Sequence, residues 1–274
     1  MTTVSNDLQI MGVMNITPDS FSDGGKYFST SGVNIPQAID SAAEMVEEGA
    51  HWLDVGGEST RPGAAKVSVQ EELDRVIPVI EALNTRFDAA ISVDTSQPQV
   101  IVAAAKAGAS MVNDVRALQV EGALEAAVQG NLSVCLMHMQ GNPQNMQDKP
   151  AYTSVIEEVE RFLTDRAKVV LAAGIPANRI CLDPGFGFGK SLEHNLQMVI
   201  NLPRFKALGY PLLVGFSRKS MIGAITGREV EDREIGTALL NFVALQKGAS
   251  IFRVHNVAAA VDMLKTWRSL EGIQ

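Results

Sequence analysis

Three polar residues, Asp94, Asn113 and Asp183, each stand at the end of a short apolar run rich in Val, Ile or Leu. Carboxylates accept paired N–H groups, and an asparagine amide both donates and accepts hydrogen bonds. The three together therefore suit the edge of a flat ligand of the 2-amino-4-oxopyrimidine kind. Two neighbouring carboxylates need a cation, and Lys219 is a candidate counter-charge. A purely structural hydrogen-bond network is the alternative interpretation.

A second group, Arg253 and His255, suggests an anion site. The two residues are two positions apart in an apolar run that is predicted to be a strand, so they share one face. A helix predicted to begin near Val257 adds its N-terminus, and barrels commonly bind phosphate at such a place. Asn15, at the end of the first apolar run, can supply an oxygen to Mg²⁺ bound with a diphosphate. A structural role for His255 is the alternative.

Two further segments carry basic residues or glycines. SRKS at 217–220 leads into a short predicted helix, so its backbone N–H groups with Arg218 or Lys219 can receive a carboxylate. A solvated basic turn is the alternative. PGFGFGKS at 184–191 lacks the spacing of a Walker A or dinucleotide-binding motif. We expect its glycines to let the backbone approach a ligand, with Phe188 as a stacking or wall residue.

These residues need a scaffold that brings strand ends together. Eight short apolar runs alternate with amphipathic, helix-length stretches, several of which end near a glycine, and this alternation predicts a parallel sheet. Polar residues end nearly all of the runs, which favours closure into a barrel over an open doubly wound sheet. We predict an α/β fold, a single-domain TIM (β/α)₈ barrel over 1–274, with its active site at the C-terminal ends of the strands. The predicted strands are 10–15, 51–57, 89–95, 110–115, 133–138, 179–185, 211–217 and 250–256.

The longest connections without helical pattern, about 16–33 and 58–67, are predicted to be mobile loops, because functional lids favour such segments. Cys135 and Cys181 each lie inside an apolar run and are predicted to be reduced core thiols. His138 has no His or Cys partner at metal-ligand spacing, which favours a rim residue satisfied by the protein itself.

The composition excludes several function classes. The net charge of −8, from 31 acidic and 23 basic residues, gives no basic surface for nucleic acid or for an anionic membrane. The N-terminal segment MTTVSNDLQ has no basic region, and the apolar stretch after it is too short for a signal peptide or a membrane span. We therefore expect a cytoplasmic enzyme.

Several segments resemble the dihydropteroate synthase family over essentially the whole chain: MGVMNITPDSFSDGG, DVGGESTRPGA, SVDT, NDV, CLMHMQG, LDPGFGFGKS, VGFSRKS and RVHN. The first two are highly specific. The resemblance implies a pterin-binding barrel that condenses 6-hydroxymethyl-7,8-dihydropterin diphosphate with 4-aminobenzoate to give 7,8-dihydropteroate and diphosphate. It also implies Mg²⁺ as cofactor, inhibition by sulfonamides and a homodimer formed through outer helices near the C-terminus.

The matching motif positions imply three groups of ligand contacts. Pterin contacts are expected at Asp94, Asn113, Val115, Met137, Asp183, Gly215 and Lys219. Diphosphate contacts are expected at Asn15, Arg253 and His255, with Asn15 also meeting Mg²⁺. Contacts with 4-aminobenzoate are expected at Phe28, Thr60, Arg61, Pro62, Phe188, Lys219 and Ser220. The residues expected to serve catalysis are Asp23, Asp94, Asp183, Lys219, Arg253 and His255.

Two other functions share part of this pattern. A methyltetrahydrofolate-binding methyltransferase would keep the carboxylates and the asparagine, but would not need Arg253, His255 or the SRKS turn. A non-catalytic pterin-binding paralogue should have lost Asp23, Thr60 or Arg61, yet all three are present. The sequence therefore favours the synthase.

Overall fold

The computed structural model describes residues 7–17, 28–29, 32–59, 67–142 and 145–272. Eight parallel strands form one sheet in the order β6-β5-β4-β3-β2-β1-β8-β7. A bridge between Leu182 and Leu212 joins the two end strands, so the sheet is a nearly closed barrel, as predicted. The strands are β1 Gln9–Asn15, β2 Trp52–Gly56, β3 Ala90–Asp94, β4 Met111–Asp114, β5 Ser133–Met137, β6 Ile180–Asp183, β7 Leu213–Val214 and β8 Ile251–Val254.

Helices connect successive strands. Hydroxyl side chains begin two of them: Ser68 Oγ accepts a hydrogen bond from the Glu71 amide at 3.2 Å, and Ser154 caps α5 in the same way. The first helix ends at Gly49, whose φ of 108° lies in the left-handed region that favours glycine. The helices are α1 Ile35–Glu48, α2 Val69–Asn84, α3 Pro98–Ala107, α4 Ala123–Gln129, α5 Val155–Ala172, α6 Leu192–Ile200, α7 Leu202–Lys206, α8 Ser220–Thr226, α9 Glu234–Gln246 and α10 Val257–Glu271.

Smaller elements complete the described structure. Residues Phe28–Ser29 and Gly32–Val33 pair as a short antiparallel hairpin outside the barrel sheet. Two 3₁₀ turns cover Ala177–Arg179 and Val230–Asp232. Across the described residues, the helices are too short or too polar to span a membrane.

The barrel interior changes from apolar to polar along the strands. A buried apolar layer fills its lower part, at Met11, Trp52, Met111, Cys135, Cys181, Leu213 and Ile251. Because strand side chains alternate with a period of two, the residues two positions further on face the same interior. Those positions are occupied by Val13, Asp54, Asn113, Met137, Asp183, Gly215 and Arg253. The fold therefore places polar groups on an apolar floor, at the C-terminal ends of the strands.

The two cysteines match their prediction. Cys135 and Cys181 are buried and free, on paired positions of β5 and β6. A hydrogen bond with Cys181, together with burial, raises the pKa of the Cys135 thiol well above its ordinary value. Both therefore belong to the packed interior rather than to a metal site.

The predicted mobile loops are only partly covered. Within 16–33 and 58–67, residues 18–27, 30–31 and 60–66 lie outside the described residues. The lid assignment therefore stays a prediction.

Candidate active site

A cavity of about 550 Å³ opens at the C-terminal end of the barrel. Every predicted site residue whose side chain is described lines it, and so does Gly215. All eight strands or the loops after them contribute residues to it. The predicted residues in the lining are Asn15, Asp94, Asn113, Val115, Met137, Asp183, Phe188, Gly215, Lys219, Ser220, Arg253 and His255.

Five predicted residues cannot be placed in the cavity. Asp23, Thr60, Arg61 and Pro62 lie outside the described residues, and of Phe28 only the backbone is described, in the short hairpin. Their assignment rests on the sequence alone.

Arg253 forms ion pairs with two carboxylates of the site. Its Nε donates to Asp54 Oδ2 at 2.6 Å and its Nη2 donates to Asp94 Oδ2 at 2.8 Å. Arg253 therefore forms the direct ion pair with Asp94, while the expected counter-charge, Lys219, interacts with both Asp183 and Asp94 without a direct ion pair. The reason is geometric: Arg253 extends from β8 to Asp54 of β2 and Asp94 of β3, and its planar guanidinium can bind two carboxylates at once.

Asp54 contacts two of the predicted site residues, and the sequence did not reveal these contacts. It is fully buried, and its Oδ2 also accepts a hydrogen bond from Asn113 Nδ2 at 3.1 Å. One carboxylate thus orients both Arg253 and Asn113. The sequence does show a polar residue at an inward-facing position of β2. Its partners, Arg253 and Asn113, come from other strands and meet it only in the closed barrel.

Burial shifts the pKa values of this cluster. It raises the pKa of Asp94 to about 7, against the opposing charge of Arg253. Burial alone would lower the pKa of Arg253, but the charges of Asp54 and Asp94 outweigh it and raise that pKa above its ordinary value. Arg253 therefore stays charged, while Asp94 can exchange a proton near neutral pH.

Lys219 lies in the loop between β7 and α8, and its charge interacts with that of Asp183 at the end of β6. Burial lowers the pKa of Lys219 to about 8, and the charge of Asp183 opposes that shift. The Lys219 ammonium donates to the Phe186 carbonyl at 2.5 Å and lies 4.6 Å from the ring centre of Phe188. Asp183 Oδ1 accepts from the Gly185 amide at 2.7 Å, and burial raises the pKa of Asp183 despite Lys219. Lys219 is thus the electrostatic partner of Asp183.

The glycine-rich segment is held by a buried lysine. Lys190 Nζ contacts His138 Nδ1 at 2.9 Å and donates to the carbonyls of Gly185 at 2.8 Å and Phe188 at 2.9 Å. The Lys190 ammonium lies against His138, and burial together with this charge lowers the pKa of His138 to about 3. His138 is satisfied within the protein, as predicted.

Two glycines of this segment serve the fold rather than a ligand. A Cβ on Gly185 would lie 1.9 Å from the His138 carbonyl oxygen, and one on Gly189 would lie 2.4 Å from that of Gln140. The expectation that the glycines of this segment let the backbone approach a ligand is therefore wrong for Gly185 and Gly189, which admit the backbone of the loop after β5. The third glycine, Gly187, does line the cavity. Phe188 does line the cavity, as predicted.

The SRKS turn is more tightly held than a solvated turn. Arg218 has a φ of 59°, and its Nε pairs with Glu234 Oε1 at 2.8 Å. Ser217 Oγ accepts from the His255 amide at 3.2 Å and lies 2.8 Å from His255 Nδ1. The turn therefore fixes the imidazole of His255, while Lys219 and Ser220 line the cavity.

Other lining residues escaped the sequence reasoning. Met146 and Gln147 come from the loop after β5, which carries no chemical motif, and Gln147 Nε2 donates to the Gly187 carbonyl at 2.5 Å. Glu58 and Ser59 begin the segment singled out after β2. Val13, Thr17 and Val230 complete this group. The other lining residues, Gly187, Ser217 and Arg218, belong to the two segments that the sequence had singled out.

The donor set for a metal is small. Within the part of the chain that the structure describes, no three His, Cys, Asp or Glu side chains are grouped to hold a metal ion. Asn15 contributes an amide group to the same cavity as Arg253 and His255. This set fits Mg²⁺, which keeps several waters and takes few protein ligands when it binds a phosphate-bearing substrate.

Comparison with known proteins agrees with this geometry. The model of the pterin binding enzyme family matches residues 11–255. The dihydropteroate synthase of Haemophilus influenzae is 52% identical over 261 residues, which cover 95% of this chain and 93% of that protein. The dihydropteroate synthase of Escherichia coli K12 is 50% identical over 256 residues, covering 93% of this chain and 89% of that protein.

Solved structures show the same similarity. The Yersinia pestis dihydropteroate synthase with a sulfonamide drug complex has a TM-score of 0.94 at 46% identity and covers 99% of both chains. The Xanthomonas albilineans dihydropteroate synthase with 4-aminobenzoic acid has a TM-score of 0.89 at 48% identity, covering 97% of this chain and 93% of that one. The chain therefore belongs to the pterin-binding enzyme family, and the relatives that match almost all of it place it among the dihydropteroate synthases.

Proposed function

We propose that the rim cavity joins 6-hydroxymethyl-7,8-dihydropterin diphosphate to 4-aminobenzoate, giving 7,8-dihydropteroate and diphosphate. The observation that carries this proposal is the convergence of Asp94, Asn113 and Asp183 from three strands on one cavity. Their oxygens and amide match the alternating donors and acceptors of a 2-amino-4-oxopyrimidine edge. Val115 and Met137 supply apolar walls for the ring.

The diphosphate belongs beside Arg253 and His255 in this proposal. Asp54 and Asp94 occupy two of the five N–H donors of the Arg253 guanidinium, and other donors can bind phosphate oxygens. Asn15 would hold Mg²⁺, which when bound would neutralise part of the diphosphate charge. The pairing with two carboxylates keeps Arg253 charged and fixed before substrate arrives, which is the preorganisation that electrostatic catalysis needs.

The acceptor 4-aminobenzoate belongs near Phe188, Lys219 and Ser220. The Lys219 ammonium lies over the Phe188 ring and can meet the negative charge of a carboxylate. Complexes of related dihydropteroate synthases with a sulfonamide and with 4-aminobenzoic acid support an aminobenzoate subsite and sulfonamide inhibition in this chain. We assign the rest of the subsite to Phe28, Thr60, Arg61 and Pro62.

The reaction in this proposal needs no protein nucleophile. The bond between the exocyclic carbon of the pterin and the diphosphate oxygen breaks, and its electron pair leaves with the diphosphate. The ring nitrogen shares the positive charge, which Asp94 and Asp183 stabilise. The amine nitrogen of 4-aminobenzoate then attacks that carbon and releases a proton. Closure of the loop carrying Asp23 would exclude water from the cation.

A homodimer and a cytoplasmic location complete the proposal. Apolar side chains are exposed on α6 and α9, with Ile200 65%, Ile235 69% and Leu239 63% exposed, and an interface between two copies would cover such a surface. The free, buried thiols of Cys135 and Cys181 fit a reducing compartment. Analytical ultracentrifugation would give the mass of a dimer, and the mass of a monomer would contradict this part.

The decisive assay follows diphosphate release from the pterin diphosphate, with and without 4-aminobenzoate and Mg²⁺. We expect product formation that depends on aminobenzoate, and a large loss of turnover in Asp183→Asn, because the amide cannot stabilise the cationic ring. An exposed control, Asp165→Asn, should keep full activity. Absence of an aminobenzoate-dependent product would refute the proposal.

A further inference from the structure

The turn after β4, residues 114–118, lies directly behind two predicted pterin contacts. Asn113 and Val115 line the cavity. Asp114, between them in the chain, is fully buried in the protein and does not line the cavity. Asp114 Oδ1 accepts from the Arg116 amide at 2.8 Å and from the Ser96 hydroxyl, and Oδ2 accepts from the Leu118 amide at 2.7 Å. The carboxylate thus folds the chain back immediately after the pterin contacts.

This turn contains unusual backbone. Ala117 has a φ of 51° and Leu118 a φ of 57°, so two consecutive residues with side chains lie in the left-handed region. Such residues rarely adopt this conformation, because Cβ approaches the following carbonyl oxygen. It persists where the surroundings fix it, and such backbone clusters at functional sites.

Arg166 of α5 supplies that constraint from outside the barrel. Its Nε donates to the Ala117 carbonyl at 3.0 Å, and its Nη2 donates to the Leu118 carbonyl at 3.1 Å. The planar guanidinium fork thereby holds the two strained peptides in one orientation. Arg166 is absent from the cavity lining, so its effect on a ligand must pass through the turn.

A second arginine links the same turn to the neighbouring rim loops. Arg116 Nη1 donates to Ser96 Oγ at 2.9 Å and lies 3.8 Å from Glu58 Oε2. Glu58 lines the cavity, and Ser96 follows the strand that carries Asp94. The turn is therefore connected to three successive strand ends of the rim.

We propose that Arg166 is a positioning residue for the pterin half of the reaction, because it fixes the turn that presents Asn113 and Val115. This inference rests on the proposed function, since it concerns the same site. Arg166 touches no substrate in this account. Its loss should weaken binding of the pterin diphosphate. The described part of the aminobenzoate subsite, Phe188, Lys219 and Ser220, lies on the loops after β6 and β7 and should be unchanged.

The test compares Arg166→Met with Arg161→Met, an exposed arginine on the same helix. We expect Arg166→Met to raise KM for the pterin diphosphate about tenfold, because two charge-assisted hydrogen bonds are lost. KM for 4-aminobenzoate should stay at the wild-type value, and Arg161→Met should match wild type throughout. Arg166→Lys keeps the charge but loses the planar fork that reaches both carbonyls, so its KM for the pterin diphosphate should be intermediate.

Different results would contradict the role of Arg166 and the proposed function. A purely structural role would reduce the amount of active enzyme, and thus kcat, without changing either KM. Equal pterin KM values in the two methionine variants would overturn the inference while the wild-type activity stands. If Arg166→Met does not fold, a wild-type pterin KM in Arg166→Lys would overturn it. Lack of aminobenzoate-dependent product in the wild type would instead overturn the proposed function.

Discussion

Replacing Arg253 with methionine tests the charge cluster at the centre of the site. The substitution keeps much of the apolar volume but leaves the fully buried Asp54 and the largely buried Asp94 without their cation. Removing one partner of a buried ion pair costs about 3–5 kcal/mol, because the remaining charge is uncompensated. We therefore expect the free energy of unfolding to fall by about that amount at pH 8.

The loss should also depend on pH. The pKa of Asp94 is already raised to about 7, and Arg253 is the main opposing charge, so the variant should raise it further. A carboxyl whose folded pKa lies above its unfolded value binds a proton on folding, so stability increases as pH falls through the folded pKa. The deficit should therefore be greatest above pH 8 and smaller at pH 6.

Urea denaturation at both pH values measures this effect, and Arg204→Met is the matched control. Arg204 pairs with Glu160 at 2.6 Å, but about half of its side chain is exposed, so its loss should cost at most about 1 kcal/mol. In addition, Arg253→Met should lower turnover roughly 10²- to 10³-fold. Equal stability losses in the two variants, or a deficit that grows as pH falls, would show that Asp54 and Asp94 do not depend on Arg253 as their buried cation.

Three further predictions concern the neighbours of this cluster. Asp54→Asn should lower kcat/KM for the pterin diphosphate roughly tenfold or more in steady-state assays, because Arg253 loses a buried charged partner. The kcat/KM for 4-aminobenzoate should fall as pH rises through about 8, where Lys219 loses its proton, and Lys219→Arg should remove that decline. Lys190→Met should lower the free energy of unfolding in urea by about 3 kcal/mol or more, because several buried acceptors lose their donor, and should raise the KM for aminobenzoate through Phe188.

For each of these three predictions, one experimental result would contradict it. Wild-type kinetics in Asp54→Asn would show that the buried carboxylate orients nothing that the reaction needs. A decline above pH 8 that persists in Lys219→Arg would assign the titration to another group. An unchanged urea midpoint in Lys190→Met would mean that the glycine-rich segment keeps its conformation without the hydrogen bonds from Lys190.

The sequence predicted the barrel because its signals are local. The short apolar runs, the amphipathic stretches between them and a helix-ending glycine such as Gly49 are each determined within a few residues. The same alternation predicted that polar strand ends would converge on one cavity. Hydrogen-bond partners across the barrel could not be predicted from local signals, since Arg253 and Asp54 are 199 residues apart in the chain. No local pattern distinguishes Arg253 from Lys219 as the partner of Asp94.

Two other features depended on packing between loops. The glycines at 185 and 189 look like ligand-approach positions in isolation, and only the path of the loop after β5 shows that they admit backbone. Lys190 follows the same glycines, and carbonyl oxygens and His138 surround it. The two glycines were misassigned because a glycine has the same local signature whether its neighbour is a ligand or the protein.

In the proposed function, three sectors of one cavity take the pterin, the diphosphate and the aminobenzoate. A crystal structure of the enzyme with the pterin diphosphate, Mg²⁺ and a sulfonamide would show whether each ligand occupies its sector. We expect the pterin edge to lie against Asp94, Asn113 and Asp183, and the diphosphate to lie against Arg253 and His255. A pterin bound away from the three strand ends, or a diphosphate without contact to Arg253, would contradict it.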